Sequence, residues 1–199
     1  MIGIFSTPVE KVKFERNLSS EEKTFIYNQN KFGYDSKLTH QSENTNLLDD
    51  AILNDLKTFC ENSLNNFFVE IYKPSTNVSL KITQSWANYA KKEQEHHIHH
   101  HDNSFISGVF YVDTNPNDVL IFYRNTSMRH FKIETEEYNS WNSDQLWFHA
   151  EEGNLLLFPS LLAHGVPKVT GEKERISISF NSFFSGEIGS VHNLTRLII

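Results

Sequence analysis

The sequence contains a single cysteine, Cys60, among 199 residues. One cysteine cannot form an internal disulfide bond, and the chain has no C-x-x-C metal or redox motif. Because Cys60 falls within a helical pattern of apolar residues, we interpret it as a small core residue rather than as a nucleophile. The absence of a disulfide framework is typical of a reducing compartment, so we expect a cytoplasmic protein.

Long apolar runs and concentrated positive charge are also absent. No stretch approaches the ~18 apolar residues that cross a bilayer, and residues 1–8 lack the pattern of a secretion signal, so we expect no membrane partner. Lysine and arginine total 18 against 25 acidic residues, for a formal net charge of −7. No basic stripe is evident, so nucleic acid is not a favoured partner. The sequence also lacks the G-x-G-x-x-G and G-x-x-x-x-G-K-[ST] motifs of dinucleotide and P-loop sites.

The chain does contain enough apolar and aromatic material for a folded core. Hydrophobic residues make up 38 % of it, and 16 residues are phenylalanine. A disordered chain has far fewer aromatic residues, and this length suits one domain. We predict a single domain over residues 1–199. Its parts are a mostly helical N-terminal layer over 1–75, a β core over 76–185 and a C-terminal tail over 186–199.

The N-terminal part predicts two helices. The segment Ser19-Ser20-Glu21-Glu22 gives the first one a hydroxyl cap and early carboxylates. A second helix is predicted from Asn46, after a polar loop over residues 40–46. A short first strand is predicted within residues 2–5. The residues at helical spacing in the second helix are Ile52, Leu56, Phe59, Cys60 and Phe67.

After Pro74 the pattern changes to short strands separated by turn signals. This arrangement predicts an α+β chain whose core is a β-sandwich or barrel. The predicted strands are 78–90, 104–112, 118–123, 130–135, 145–149, 154–159 and 174–184.

Five of the ten histidines lie within six positions, at His96, His97, His99, His100 and His101, and Asp102 follows. In a strand, residues two apart project to the same face. Therefore either His99 with His101 or His100 with Asp102 offers two donors to one metal ion. A solvated histidine-rich loop that binds metal adventitiously is the alternative, and the cluster alone does not decide between them.

A second polar pattern follows His164. From Arg175 to Asn181 the residues alternate, so that Arg175 and Ser177 share one face and the apolar residues occupy the other. A buried arginine needs a partner. That partner is either an internal carboxylate or a dicarboxylate ligand, which a guanidinium grips through two hydrogen bonds. Because Arg175 comes eleven residues after a candidate metal ligand, we favour the ligand.

These segments together resemble a known family. The sequence reads Trp86-x-Asn88, His99-x-His101, Ser107-Gly108-Val109-Phe110-Tyr111, Phe158-Pro159-Ser160, His164 and Arg175 to Asn181. This order is similar to the W-x-N, H-x-H-P-N-S, S-G-V-Y-Y, F-P-S, H and R-I-S-I-S-F-N motifs of a family of 2-oxoglutarate- and iron(II)-dependent oxygenases. The resemblance covers about residues 84–183. It implies a double-stranded β-helix, a jelly-roll or cupin-like core, with the N-terminal helical layer packed on the larger sheet.

The resemblance also implies roles for individual residues. His99, His101 and His164 would bind iron(II), Arg175 and Ser177 would bind the distal carboxylate of 2-oxoglutarate, and Asn88 would help to hold this cosubstrate. The wider superfamily more often uses an H-x-D pair, which His100 and Asp102 would supply. The His99 and His101 frame fits the family motif better, because Asp102-Asn103-Ser104 then replaces Pro-Asn-Ser.

The activity that follows from this resemblance is oxygenation, most simply hydroxylation. Iron(II), 2-oxoglutarate and O₂ are the implied cofactors, and decarboxylation of 2-oxoglutarate to succinate accompanies oxidation of a protein, nucleotide or small-molecule substrate. The alternatives are a cupin-like metal-binding module without 2-oxoglutarate turnover, a structural β-sandwich with an adventitious histidine cluster, and a dioxygenase independent of 2-oxoglutarate. We expect the substrate rim in residues 113–152, which contain Tyr123, Arg124, Arg129, His130, Trp141, Trp147, Phe148 and His149.

Overall fold

Two antiparallel β-sheets face each other in the computed structural model, which describes residues 6–33, 35–124 and 133–199. Within these residues the larger sheet has eight strands and the smaller sheet has four. The larger sheet runs in the order β1 (Glu10–Lys13), β9 (Asn154–Pro159), β6 (Ile106–Asp113), β11 (Arg175–Ile188), β4 (Val78–Ala90), β3 (His40–Ser42) and β2 (Lys31–Phe32), with β12 (Leu197–Ile198) paired to β11. The smaller sheet runs in the order β5 (His96–His99), β10 (His164–Val166), β7 (Val119–Tyr123) and β8 (Gln145–His149).

The centre of the larger sheet is buried on both faces. Along β6 every residue is buried, and successive side chains enter two different clusters. Phe110 and Val112 pack toward the helices, whereas Val109 and Tyr111 face the smaller sheet, where they meet Leu120 and other apolar side chains. The alternation of a β-strand therefore separates a helix-covered core from the space between the sheets.

The first helix, α1 (Ser20–Tyr27), begins where the sequence predicts. The Ser19 hydroxyl accepts a hydrogen bond from the Glu22 backbone N–H, and the Glu22 carboxylate accepts one from the Ser19 N–H. These two bonds satisfy amide groups that the start of a helix leaves without partners.

The second helix, α2 (Asn54–Tyr72), begins eight residues later than predicted. Two short 3₁₀ turns, Leu47–Asp49 and Ala51–Leu53, occupy the intervening chain. The backbone of Asp50 is extended, and its side chain accepts a hydrogen bond from the Ile52 N–H, so the apolar spacing continues through a break in the helix. No helix of the described residues is long and apolar enough to span a membrane.

Helix α2 covers the outer face of the larger sheet, as the sequence predicts. Leu56, Cys60 and Leu64 are completely buried in the core that it forms with the sheet. Burial raises the pKa of the Cys60 thiol far above its usual range, so this cysteine behaves as a small apolar residue.

Three short strands near the N-terminus, β1, β2 and β3, were not predicted. The interpretation of residues 40–46 as loop is wrong for His40–Ser42, which pairs with β4. Strand β1 is also unexpected and pairs with β9 along four residues. Both are short polar segments that backbone hydrogen bonds hold in the sheet, so they lack the apolar alternation that identifies longer strands. The strand predicted within residues 2–5 lies outside the described residues.

Two other strand predictions need correction. Residues 130–132 of the strand predicted over 130–135 lie outside the described part of the chain, and residues 133–135 form no strand. Ile133 is 81 % exposed, and the residues that follow it are acidic and polar. By contrast, β11 is longer than predicted and continues to Ile188, where it pairs with β12.

Asp113, at the end of β6, joins α1 to the sheet. Its buried carboxylate accepts hydrogen bonds from Tyr27 and Lys173 and forms an ion pair with Lys23. Burial alone would raise the pKa of Asp113, but these hydrogen bonds and positive charges outweigh burial and lower it below 3.8. The ionised carboxylate therefore stabilises the fold above the unfolded-state pKa, and this stabilisation is lost as the pH falls through the folded-state pKa.

We expect Asp113→Asn to reduce the free energy of unfolding by about 2 kcal/mol at pH 7, because hydrogen bonds to a charged group are lost. The difference from the wild type should begin to shrink below pH ~3.8, where the unfolded chain takes up a proton, and should vanish as the pH falls through the lower folded-state pKa. Urea unfolding at pH 7 and pH 3 measures both effects. Asp49→Asn is the matched control, because it breaks the exposed ion pair with Lys57 and should change stability by less than ~1 kcal/mol. Equal effects of the two substitutions would contradict this account.

Candidate active site

Two histidines meet across the smaller sheet. His99 on β5 and His164 on β10 are register partners, and their ring centroids are 4.4 Å apart. Gly165 lets the two strands approach, because a Cβ at this position would lie 3.1 Å from the carbonyl oxygen of His96. The pairing therefore places both imidazoles at one end of the space between the sheets.

A third histidine, His101, joins them from the loop after β5. Its backbone N–H donates to the carbonyl oxygen of Ser160 at 2.9 Å, which ties the loop to the end of β9. Asn103 then adopts a left-handed conformation with φ of 54°, and the Ser104 hydroxyl lies 2.7 Å from that of Ser160. The His101 ring centroid is 5.0 Å from that of His99 and 5.1 Å from that of His164.

His99, His101 and His164 are arranged to bind one metal ion. Each offers a ring nitrogen, and these three atoms lie within 4.8 Å of one another. The Nδ1 atoms of His99 and His164 each lie 2.8 Å from a backbone carbonyl oxygen, of His97 and Leu162 respectively. If each Nδ1 carries the proton and donates it to that oxygen, the Nε2 lone pair is available to a metal.

The three imidazoles are kept neutral by their surroundings. Burial, together with the charges of neighbouring histidines, lowers the pKa of His164 to about 3 and that of His101 to about 4. Burial also lowers the pKa of His99. Because a metal competes with protons for imidazole nitrogen, low pKa values keep the ligands available at neutral pH.

His100 and Asp102 lie outside this arrangement. Nε2 of His100 is 3.3 Å from Oδ1 of Asp102, and the two side chains are 53 % and 81 % exposed. Neither belongs to a group of three potential ligands within the described residues. The H-x-D pair of His100 and Asp102 therefore has the geometry of two solvent-exposed surface side chains.

A cavity of about 290 Å³ opens between the sheets beside the three histidines. Its apolar wall is formed by Val109, Leu120, Phe158 and Val166, and its polar wall by β4 and β11. The polar side chains of that second wall are Trp86, Asn88, Arg175, Ser177 and Ser179.

Arg175 is buried without an acidic partner. Its side chain is 2 % exposed, and no carboxylate of the described residues forms an ion pair with it. Its Nε atom also lacks a hydrogen-bond acceptor in this part of the chain. Burial of an unpaired charge is costly, so the internal salt bridge considered for Arg175 does not account for its position.

Tyr111 is a second unsatisfied polar group beside Arg175, and the sequence analysis did not identify it as a site residue. Its hydroxyl is buried without a hydrogen-bond partner among the described residues, and the Arg175 guanidinium carbon lies 5.5 Å from its ring centroid. Burial raises the pKa of Tyr111 to about 12, although the positive charge of Arg175 and the close approach of its guanidinium to the hydroxyl act in the opposite direction. The signal was its period-two spacing from Ser107 and Val109, which line the cavity, since this spacing places Tyr111 on the same face of β6.

Asn88 and Ser177 are register partners on β4 and β11. The Asn88 amide donates to Ser179 Oγ at 2.9 Å and accepts from Trp86 Nε1 at 3.2 Å. These bonds leave one amide N–H of Asn88 available toward the cavity. The W-x-N motif thus forms a fixed polar surface in the same cavity as the three histidines.

The predicted substrate rim contributes Leu120 to the cavity wall. Arg124 donates to the carbonyl oxygens of Ser143 and Ser140 at 2.9 and 2.8 Å, which closes the loop between β7 and β8. Arg129 and His130 lie outside the described residues. The assignment of this segment to substrate binding stays a prediction.

The residues fit both an iron ion and a dicarboxylate. Three neutral imidazoles suit iron(II) and leave coordination positions open. In the wall of the same cavity, the unpartnered Nε donor of Arg175 suits a carboxylate, and the buried hydroxyl of Tyr111 lies beside it. A molecule that chelates the metal at one end and carries a carboxylate at the other would satisfy both sets.

A comparison with protein-family models agrees with these features. Residues 84–181 match the family described as "Putative 2OG-Fe(II) oxygenase". This segment contains the three histidines and Arg175. No curated protein sequence matches the chain.

Solved structures with a similar fold include several such enzymes. HygX from Streptomyces hygroscopicus, with nickel and 2-oxoglutarate bound, is 13 % identical with a TM-score of 0.57, and the match covers 88 % of this chain and 82 % of that one. A Pseudomonas putida prolyl-4-hydroxylase is 12 % identical with a TM-score of 0.56, over 88 % and 93 % of the two chains. A 2OG-Fe(II) oxygenase family protein from Burkholderia pseudomallei is 11 % identical with a TM-score of 0.52, over 82 % and 76 %. These similarities confirm the predicted double-stranded β-helix fold.

Proposed function

Taking as our premise that this chain is an iron(II)- and 2-oxoglutarate-dependent oxygenase, with the family core at residues 84–181, we propose a role for each residue of its site. His99, His101 and His164 bind iron(II). Arg175 and Ser177 bind the distal carboxylate of 2-oxoglutarate, and Asn88 contacts the cosubstrate from β4. The roles of His99, His101, His164, Arg175, Ser177 and Asn88 follow the family motif, and the geometry supports them.

The observation that carries this proposal is the unpartnered guanidinium of Arg175. A stable fold rarely buries a charge without a counter-ion. Arg175 nevertheless lies in the wall of a cavity whose opposite wall holds three neutral histidines. A carboxylate that arrives with a metal-chelating group would supply the missing counter-ion. The buried hydroxyl of Tyr111 would add a hydrogen bond to the same carboxylate.

The protein positions its ligands and excludes water. When bound, iron(II), 2-oxoglutarate and O₂ supply the oxidising chemistry, in which 2-oxoglutarate is converted to succinate and CO₂. The backbone bonds to His99 and His164 fix the orientation of their rings. Phe158, whose ring centroid is 4.7 Å from that of His164, forms part of the apolar wall that keeps water from the metal-binding nitrogens.

We propose hydroxylation as the reaction outcome. One structural neighbour supports this class, since it is a prolyl-4-hydroxylase. Another was crystallised with hygromycin B bound. These neighbours suggest a protein side chain or a small molecule as the substrate. We further propose that residues 1–199 act as one domain, because α2 and the sheet share a core. A cytoplasmic location is our proposal from the single free cysteine, and cell fractionation would test it.

The experiment that tests the cofactor site is an anaerobic titration of metal-free protein with iron(II) and then 2-oxoglutarate. We expect the weak visible charge-transfer band of the iron–2-oxoglutarate chelate to appear and to saturate at one equivalent of iron. Succinate should absorb nothing when it replaces 2-oxoglutarate, because it cannot chelate through a 2-oxo group. Metal binding without the band would contradict the proposal and favour a cupin-like metal-binding module.

A further inference from the structure

The proposed iron site uses two of the five clustered histidines and leaves His96 and His97 without a role. Together with His99 these residues form a second group of three ring nitrogens that lie within 4.8 Å of one another. The ring centroids are 4.6 Å apart for His96 and His99, and 5.2 Å apart for His97 and each of the other two. The spacing is therefore as close as in the group that contains His164.

The imidazole nitrogens of His96 and His97 are not used in contacts that hold the fold together. Within the described residues, the side chains of His96 and His97 form no hydrogen bond. His96 is half-buried in the cavity wall, and His97 is exposed at the mouth. Nitrogen donors that face a cavity without partners are available to a ligand, and three imidazoles suit a divalent transition metal.

His99 belongs to both groups, but it can bind a metal ion in only one of them at a time. Its Nδ1 lies 2.8 Å from the carbonyl oxygen of His97, so it carries the proton of that hydrogen bond. A neutral imidazole then has one lone pair left, on Nε2. Two metal ions therefore cannot be bound simultaneously through His99, and occupancy of one group excludes full occupancy of the other.

We propose that His96, His97 and His99 form a second position for a divalent transition-metal ion, which alternates with the iron site through the shared His99. The inference goes beyond the proposed function and depends on it only for the role of His99. Because His97 is exposed, the second position is the one that a metal ion reaches first from solvent. Exchange of two ligands around His99 then delivers the ion to His101 and His164.

Solvent exposure ranks the two positions. His97 is exposed, whereas His101 is half-buried and His164 is buried. A cation held by His97 is consequently in competition with water and is bound more weakly than one held by His101 and His164. A 2-oxoglutarate molecule neutralises Arg175 and chelates only the ion at the iron site. Cosubstrate binding should therefore draw the ion away from the second position.

The test is a Ni²⁺ binding titration of four proteins by competition with a chromophoric chelator. The wild type and His97→Ala should each bind one Ni²⁺ tightly, and 2-oxoglutarate should increase both affinities. His164→Ala should still bind one Ni²⁺, more weakly and with no increase from 2-oxoglutarate. The double variant His97→Ala/His164→Ala should bind Ni²⁺ at least about tenfold more weakly than His164→Ala, because both groups are then incomplete.

A matched control separates the second position from a general effect of the histidine segment. His100→Ala/His164→Ala removes an exposed neighbour that belongs to neither group, and it should bind Ni²⁺ as His164→Ala does. Thermal unfolding of each metal-free protein checks that all variants fold. Equal loss of binding in His164→Ala and in the His97→Ala/His164→Ala variant would overturn the inference. If 2-oxoglutarate still increases the Ni²⁺ affinity of the wild type in that case, only the second metal position is disproved. If 2-oxoglutarate has no effect on the wild type, the proposed function itself has failed.

Discussion

Arg175→Met is expected to weaken 2-oxoglutarate binding at least about a hundredfold while making the metal-free protein more stable. A guanidinium–carboxylate fork contributes two charge-assisted hydrogen bonds, each worth about 1.5–3 kcal/mol, and a loss of about 3 kcal/mol is roughly a hundredfold in Kd. Without the cosubstrate the same guanidinium is a buried charge with no acidic partner. Its replacement by an apolar side chain of similar length should raise the free energy of unfolding by about 1–3 kcal/mol.

Two measurements check this result: calorimetric titration of the Ni²⁺-loaded protein with 2-oxoglutarate, and thermal unfolding of the metal-free protein. Arg124→Met is the control, because Arg124 is hydrogen-bonded to backbone carbonyls of its own loop. That variant should lose stability and retain cosubstrate affinity, the reverse of Arg175→Met. If Arg175→Met loses stability and still binds 2-oxoglutarate, Arg175 is a structural residue.

His101→Ala should abolish the iron–2-oxoglutarate band, whereas His100→Ala should leave it unchanged. His101 directs a ring nitrogen toward those of His99 and His164, and His100 forms an exposed pair with Asp102. Loss of a direct ligand should weaken the chelate by at least about a hundredfold, since even outer partners of a ligand contribute 10–100-fold. This comparison distinguishes the two frames that the sequence allows.

A third variant, His101→Asp, makes the test more specific. Two histidines and a carboxylate form a common iron(II) site in oxygenases, so an aspartate at this position should recover the band that alanine removes. His100→Ala and Asp102→Ala serve as matched controls in the same loop. Loss of the band in these two variants, with retention in His101→Ala, would assign the iron site to the H-x-D frame.

Much of the β core could be predicted because its strands are long and alternate regularly. From Arg175 to Phe180 each polar residue faces the cavity and each apolar residue faces the helices, as the period of two requires. The short strand at residues 40–42 could not be predicted, since backbone pairing with β4 holds it and its side chains carry no pattern. The late start of α2 could not be predicted, because Leu47, Leu48 and Leu53 are buried in 3₁₀ turns and would also be buried in a helix.

The site shows a similar limit. The spacing of the histidines allows two ligand pairs, His99 with His101 or His100 with Asp102. The period of two in a strand does not favour either pair. What separates them in space is the hydrogen bond from His101 to Ser160 and the left-handed turn at Asn103, which are tertiary features. Tyr111 was missed because a tyrosine in a fully buried strand has the same sequence pattern whether its hydroxyl is satisfied or not. Its role is suggested only by its position beside Arg175.

The two buried faces of β11 have a consequence for how such an enzyme can diverge. Positions 176, 178 and 180 contact the helix-covered core, whereas positions 175, 177 and 179 line the cavity. Changes in ligand selectivity and changes in core packing therefore fall on alternate codons of the same short stretch of the gene. Arg175 is the exception, because its replacement should alter both cosubstrate affinity and stability. At the other positions selection can act on either property with little interference from the other, although the residues involved are adjacent in the chain.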